Sequence, residues 1–393
     1  MKNNAPLVAI VAGEASGDQH GAYLIREVKK IVPQVRFCGI AGPRMRAVGA
    51  EVLFDSSQLA VVGLVEVLSQ FKEIYRTLQK MRRFLEEKRP DLLILVDYPE
   101  FNLRLAKTAK ALGIKVLYYI SPQIWAWRQH RVHQIRHLVD MMAVVLPFEA
   151  PFYKQAGVPV CFVGHPLRDE VKSPLSRDEA VAEFGFDPHR KTLGLLPGSR
   201  RSEIKRLLPV LLDAAEQIYL QEPEIQYLLP LATTLDEADL APYLKRHRLP
   251  LKIIPNRSYD VMVACDAMVV ASGTVTLEAA LMGVPLVVIY KMKPLSYWIG
   301  RLLIRVNHIA LCNIIAGEGI APELIQQEAS PEQIAKEALS LLRDQDRVRA
   351  MQQKFHTIKD KLSAGAQQTI AELTVAMLEC EEDYSVEFLA AKR

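Results

Sequence analysis

The sequence predicts an α/β protein: two Rossmann-like, doubly wound parallel-sheet domains followed by a helical C-terminal segment. Three observations carry this. Short apolar runs alternate with helix-length amphipathic segments. The alternation halts in a polar, Pro- and Asp-bearing stretch from Arg168 to Arg190, then restarts. A chain of 393 residues also exceeds one ordinary core. The expected division is residues 1–167, a linker at 168–190, a second domain at 191–345, and C-terminal helices over 346–393.

In the first half the candidate strands are Val8–Ala12, Arg36–Ile40, Leu92–Asp97, Val116–Ile120, Met142–Leu146 and Val160–Val163. In the second they are Leu193–Leu196, Ile225–Leu229, Leu251–Ile254, Ala267–Val270 and Leu286–Tyr290. Beyond Ser330 the pattern is helical. In such sheets ligands sit past the carboxyl ends of the strands, so the strand–helix loops and the crevice between the domains are the expected site.

Composition narrows the partners. The chain is 50% hydrophobic and 24% charged, as soluble domains are. Its net charge, 49 − 45 = +4, gives no ground for a nucleic-acid partner. Five cysteines lie scattered with no CxxC pair, so neither a disulfide framework nor a zinc site is expected. The first residues lack a signal-peptide pattern, and no apolar run approaches the roughly 18 residues of a membrane span. The expected location is cytoplasmic.

The first loop, Gly13-Glu14-Ala15-Ser16-Gly17-Asp18, follows a strand and opens a helix, as a nucleotide loop does. Its G-x-x-x-G spacing misses the dinucleotide fingerprint, and its carboxylates would repel phosphate. It suits a ligand with hydroxyl groups. "LVDYPEFN" ends a strand at Asp97 with Pro99 at a first helical position. Asp97 is a candidate general base, although a helix cap accounts for it better on spacing alone.

"SPQIWAWRQHRVHQIRH" places Trp125 and Trp127 beside Arg128, Arg131 and Arg136. Aromatics with cations suit an acylated, phosphate-bearing molecule or a membrane surface; core tryptophans before a solvated helix explain them too. His130, His133 and His137 lack the Glu of a zinc motif, so no metal site is expected there. In "LPGSRRSEI", Gly198, Ser199 and Arg200 follow a strand, and Ser202 is placed to cap the next helix. A planar guanidinium beside a helix N-terminus suits phosphate.

Ser272-Gly273-Thr274 repeats that logic, with Glu278 one turn on and able to accept both hydroxyls of a ribose. An N-cap with a first-turn glutamate explains the same residues equally well. Together the two loops suggest a nucleoside diphosphate. "KMKPLSYWIGRLLIRV" has the pattern of a basic amphipathic helix, with Trp298, Arg301 and Arg305 as candidate membrane contacts; a core-facing helix with exposed basic residues explains it nearly as well. Asp344-Gln345-Asp346 has the form of a metal-binding D-x-D but sits in a polar turn between helices.

Six segments stand in one order: Gly13–Asp18, "AGPRM" at 41–45, "VDYPEFN", "SPQIWAWR", "LPGSR", and "ASGT" through Glu278. That order resembles the lipid-A-disaccharide synthase family over about Val8 to at least Gly317. The resemblance implies a GT-B-type fold and an inverting, metal-independent glycosyltransferase without a cofactor. It implies UDP-2,3-diacylglucosamine as donor, held by the C-terminal domain, and 2,3-diacylglucosamine 1-phosphate as acceptor. It further implies a peripheral place on the inner face of the inner membrane and a homodimer that exchanges C-terminal segments.

By the same resemblance Asp97 matches the base, Arg200 faces the donor phosphates, and Gly198, Ser199, Ser272, Gly273, Thr274 and Glu278 belong to the nucleotide side. Glu14, Ser16 and Asp18 belong to the sugar and acceptor side. Asn313 matches a catalytic asparagine, with Cys312 where the family pattern has proline. A peptidoglycan GlcNAc transferase, a UDP-GlcNAc 2-epimerase and a non-catalytic membrane adaptor stay open as alternatives, because architecture alone does not separate them.

Overall fold

The computed structural model describes residues 5–56, 64–292, 307–366 and 368–379. The chain divides into two compact units: residues 1–166 with 362–393, and residues 167–361.

The first unit holds a seven-stranded, all-parallel sheet. Its strands are β1 (Leu7–Ala12), β2 (Arg36–Ala41), β3 (Glu51–Asp55), β4 (Leu92–Val96), β5 (Lys115–Tyr119), β6 (Met141–Val144) and β7 (Val160–Phe162). The order is β3-β2-β1-β4-β5-β6-β7. The inner strands read as unbroken apolar runs because both faces are covered by helices. Every residue of β4, Leu-Leu-Ile-Leu-Val, is fully buried.

The second unit repeats the plan with β8 (Thr192–Leu196), β9 (Gln226–Leu231), β10 (Leu251–Pro255), β11 (Ala267–Ala271), β12 (Leu286–Tyr290) and β13 (Glu323–Ile325). Their order is β10-β9-β8-β11-β12-β13, again all parallel. In each sheet the winding reverses beside the first strand. Ala12 of β1 pairs with Val96 of β4, and Leu196 of β8 with Val270 of β11. A reversal of this kind splays the two following loops apart and opens a crevice at the strand ends.

Two strands escaped the sequence pattern, β3 and β13. Each is a sheet edge, short and only half-buried, so neither needs a continuous apolar run. The stretch read as a linker, 168–190, is built into the second unit. It carries two short helices, Leu167–Glu170 and Arg177–Glu183, and Arg177 bonds Asp266 at 2.8 Å. The C-terminal helices are shared out. Gln345–Lys361 packs on the helices Val275–Leu281 and Leu311–Ala316 of the second unit. Ile370–Glu379 packs on Ala15–Ile31 of the first.

Candidate active site

In the first unit the loops after β1 and β4 flank the winding reversal. Gly13 follows β1 and Glu14 takes the N-cap of the helix Ala15–Ile31 in extended backbone. A Cβ on Gly13 would lie 2.5 Å from Cγ of Tyr98, so the glycine makes room for that ring. Glu14 is half-buried and Ser16 exposed. Burial, with the charge of Glu14 beside it, pushes the Tyr98 phenol above its ordinary range.

Asp18 has another occupation. It is 3% exposed, and its carboxylate accepts the backbone N–H groups of Gly42, Arg44 and Met45 at 2.8, 2.9 and 3.1 Å. It thereby clamps the start of the helix Pro43–Ala47. Both of its oxygens are engaged by backbone.

Asp97 follows β4 and is half-buried. Asp97 and Tyr98 both adopt left-handed backbone, with φ of 45° and 46°. Such a conformation costs on the order of 1–3 kcal/mol per side-chain-bearing residue. The N-cap of the helix Pro99–Ala111 is Tyr98, whose side chain makes no capping bond. The carbonyl oxygen of Asp97 accepts from Tyr118 Oη and from Asn102 Nδ2, both at 2.6 Å.

Trp125 is half-buried, edge-on to Phe148 with ring centroids 4.8 Å apart, and donates Nε1–H to Glu149 at 3.1 Å. Glu149 is itself 2% exposed; burial pushes its carboxyl up to about 7, against bonds from Leu146 N–H, Trp125 and Ser121. Trp125 is therefore anchored inside this unit. Trp127 closes the short helix Ile124–Trp127. Arg128 and Arg131 both pair with Glu100, at 2.9 and 2.6 Å.

In the second unit the loops after β8 and β11 take the equivalent place. Gly198 has φ of 109°, and a Cβ there would lie 2.2 Å from Glu203 Oε2. That oxygen accepts the N–H groups of Ser199 and Arg200 at 2.9 and 3.2 Å. Arg200, not Ser202, is the N-cap of the helix Arg201–Gln221, because Glu203 reaches back to the loop amides and makes a serine cap redundant. Ser199 and Arg200 are exposed.

Ser272 Oγ donates to the Ile309 carbonyl at 3.0 Å, Gly273 is open to solvent, and Thr274 begins the helix Val275–Leu281. Glu278 is half-buried and accepts from Tyr259 Oη at 3.1 Å. Asn313 is fully buried. Its Nδ2 donates to the Ala321 carbonyl and Glu323 Oε1, each at 2.8 Å, and its Oδ1 accepts from the N–H groups of Ile320 and Ala321. With the amide engaged on both sides, Asn313 ties the loop before β13 to Glu323.

Trp298, Arg301 and Arg305 lie outside the described residues. Asp344 Oδ1 accepts from the N–H groups of Asp346 and Arg347, so the D-x-D is a helix cap. Among the described residues no helix is long and apolar enough to cross a membrane, and no group of three or more His, Cys, Asp or Glu is placed to hold a metal ion. The sequence reading missed Asn102, Tyr118, Glu149, Glu203, Tyr259 and Glu323. For Glu203 a signal existed, a Glu three residues after the N-cap position; the others act through folding and leave no local pattern.

Two parallel α/β sheets, each with its polar loops at the winding reversal, define a two-domain, doubly wound architecture of the GT-B type. The glycotransferase of kitacinnamycin shares the fold with a TM-score of 0.66 at 17% identity, over 95% of this chain and 100% of its own. A UDP-GlcNAc 2-epimerase from Neisseria meningitidis bound to UDP-GlcNAc does so at 0.64 and 12%, over 95% and 99%. These likenesses speak to fold alone. The chain belongs to the lipid-A-disaccharide synthetase family, whose model matches residues 8–376. A lipid-A-disaccharide synthase of Nitrosococcus oceani is 80% identical over 381 residues, 97% of this chain and 98% of that one. One from Geobacter sulfurreducens is 52% identical over 378 residues, 96% and 98%.

Proposed function

We propose that the chain transfers 2,3-diacylglucosamine from UDP-2,3-diacylglucosamine to 2,3-diacylglucosamine 1-phosphate, giving the β-1,6-linked disaccharide 1-phosphate and UDP. The family match, running through both units, carries this reading. Asp97 takes the proton of the acceptor's 6-hydroxyl as that oxygen attacks the anomeric carbon from the face opposite UDP. The anomeric carbon–oxygen bond to the diphosphate breaks as the new glycosidic bond forms.

Charge growing on the leaving diphosphate is met by the Arg200 guanidinium and by the backbone N–H groups of Gly273 and Thr274. Glu278, oriented by Tyr259, receives the ribose hydroxyls. Glu14 and Ser16 serve the acceptor sugar. Asp18 and Asn313 act by holding loops in place. The substrates are acylated and anionic, which supports a peripheral place on an anionic inner-membrane surface through Arg301 and Arg305. Membership of the family supports a homodimer exchanging C-terminal segments.

The test is a reconstitution in detergent with both substrates and a chelator, read by mass spectrometry. Disaccharide 1-phosphate and UDP, each dependent on both substrates, is the expected result. Turnover of UDP-GlcNAc without an acceptor would move the function to an epimerase. For the membrane reading, Arg301→Ser with Arg305→Ser should weaken sedimentation with phosphatidylglycerol vesicles, and unchanged binding would remove that role.

A further inference from the structure

We infer that Tyr118 and Asn102 are positioning residues for the transfer: together they pin the carbonyl oxygen of Asp97 and so aim its carboxylate. The inference rests on reading Asp97 as the base. Two consecutive side-chain-bearing residues, Asp97 and Tyr98, hold φ of 45° and 46°. Such a corner survives only where its surroundings over-determine it.

Here they do. The Asp97 N–H donates to the Tyr119 carbonyl at 3.1 Å, which continues the β4–β5 pairing one residue past the strand. The Asp97 carbonyl then receives Tyr118 Oη and Asn102 Nδ2, each at 2.6 Å, filling both lone pairs. Asn102 Nδ2 also reaches the Val96 carbonyl at 3.2 Å, and the Asn102 N–H donates to the Tyr98 carbonyl at 3.1 Å. Asn102 and Tyr118 are both fully buried. On the far side Gly13 leaves space for the Tyr98 ring.

The peptide between Asp97 and Tyr98 is thus fixed from both ends. With the Asp97 N–H held by β5, relaxing φ at Asp97 would turn its carbonyl and its Cβ together about the N–Cα bond, so pinning the carbonyl also sets the bearing of the side chain. Covering a core requires none of this, since Phe at 118 and Leu at 102 would bury as well without polar atoms to satisfy. The choice of a phenol and an amide, both donating to the Asp97 carbonyl, is explained by the need to hold a relaxed-backbone alternative at bay. Burial, and the Asp97 charge after it, push the Tyr118 phenol well above its ordinary range, so the hydroxyl stays a donor at working pH.

The test compares Asp97→Ala, Tyr118→Phe, Asn102→Ala and the pair Asp97→Ala/Tyr118→Phe in the two-substrate assay. Tyr227→Phe is the control, a buried phenol bonded to the Ala215 carbonyl in the other unit. A misplaced catalytic group is expected to lower kcat about 10- to 100-fold in Tyr118→Phe and in Asn102→Ala. KM for either substrate should change by no more than about twofold, since ground-state binding is untouched. The paired variant should be no slower than Asp97→Ala, because both act through one carboxylate. Tyr118→Phe removes a single oxygen and carries the test should Asn102→Ala not fold. Normal kcat in Tyr118→Phe beside a slow Asp97→Ala overturns this inference alone, as does a further loss in the paired variant. Near-normal turnover in Asp97→Ala overturns the reading of the base itself.

Discussion

Glu203 sets its Oε2 2.9 Å from the backbone N of Ser199, in the strand–helix loop whose amides would otherwise face an incoming phosphate. The same carboxylate accepts from the Arg200 N–H, and its other oxygen lies 3.8 Å from the Arg200 guanidinium. A carboxylate of the chain itself therefore fills the place an anion would take. Glu203→Gln keeps an acceptor oxygen but removes the like charge. UDP affinity should rise about 2- to 5-fold at low salt, the scale of a partly exposed charge pair. Calorimetric titration with UDP reads this directly; weaker binding would mean that Glu203 helps to hold the nucleotide.

Asp18 serves three backbone amides, those of Gly42, Arg44 and Met45. Asp18→Ala leaves them without their acceptor and should cost about 1–3 kcal/mol of stability in denaturant unfolding. A residue that instead touched the acceptor sugar would raise KM and leave the unfolding midpoint alone.

Asn313 should behave as a structural hub. Asn313→Ala removes the amide's hydrogen bonds at a fully buried position and leaves Glu323, which also accepts from the N–H groups of Ile309 and Ala310, with one partner fewer. A loss of about 2–4 kcal/mol is expected, larger than for a surface substitution. An Asn313→Ala chain of normal stability and no activity would restore the direct catalytic role.

The buried titratable groups give a pH dependence of opposing signs. His20, pushed down to about 4, and His165, to about 3, are held neutral chiefly by burial. Their stabilising contribution is complete above about 6.5 and falls as pH drops, because the unfolded chain then binds more protons. Glu149, pushed up to about 7, does the reverse: its contribution is complete below about 4.5 and is lost as pH rises through 7. The advantage of Glu149→Gln over the parent should therefore grow between pH 5 and pH 8 in urea unfolding. A pH-independent difference would contradict a buried, proton-holding Glu149.

The inner strands were legible because a doubly covered strand must be apolar throughout; β4 and β11 could be read residue by residue. The edges β3 and β13 could not, since half-buried three- and five-residue pieces look like loop. The site's loops were legible as glycine- and serine-bearing breaks after strands. What those loops lean on was not. The partnership of Tyr118 with Asp97 spans 21 positions and that of Trp125 with Glu149 spans 24. Only the β4–β5 and β5–β6 pairings bring them together. The backbone partners of Asp18, and the backbone and Glu323 partners of Asn313, likewise leave no mark in the motifs that hold these residues.

The central claim is that Asp97 is the base. Single-turnover formation of disaccharide 1-phosphate by Asp97→Ala, with folding verified by denaturant unfolding, tests it most directly. The expected rate is about 10²- to 10⁴-fold below the parent, the usual loss on removing a general base, with UDP binding unchanged. A folded Asp97→Ala chain turning over at the parent's rate would contradict it.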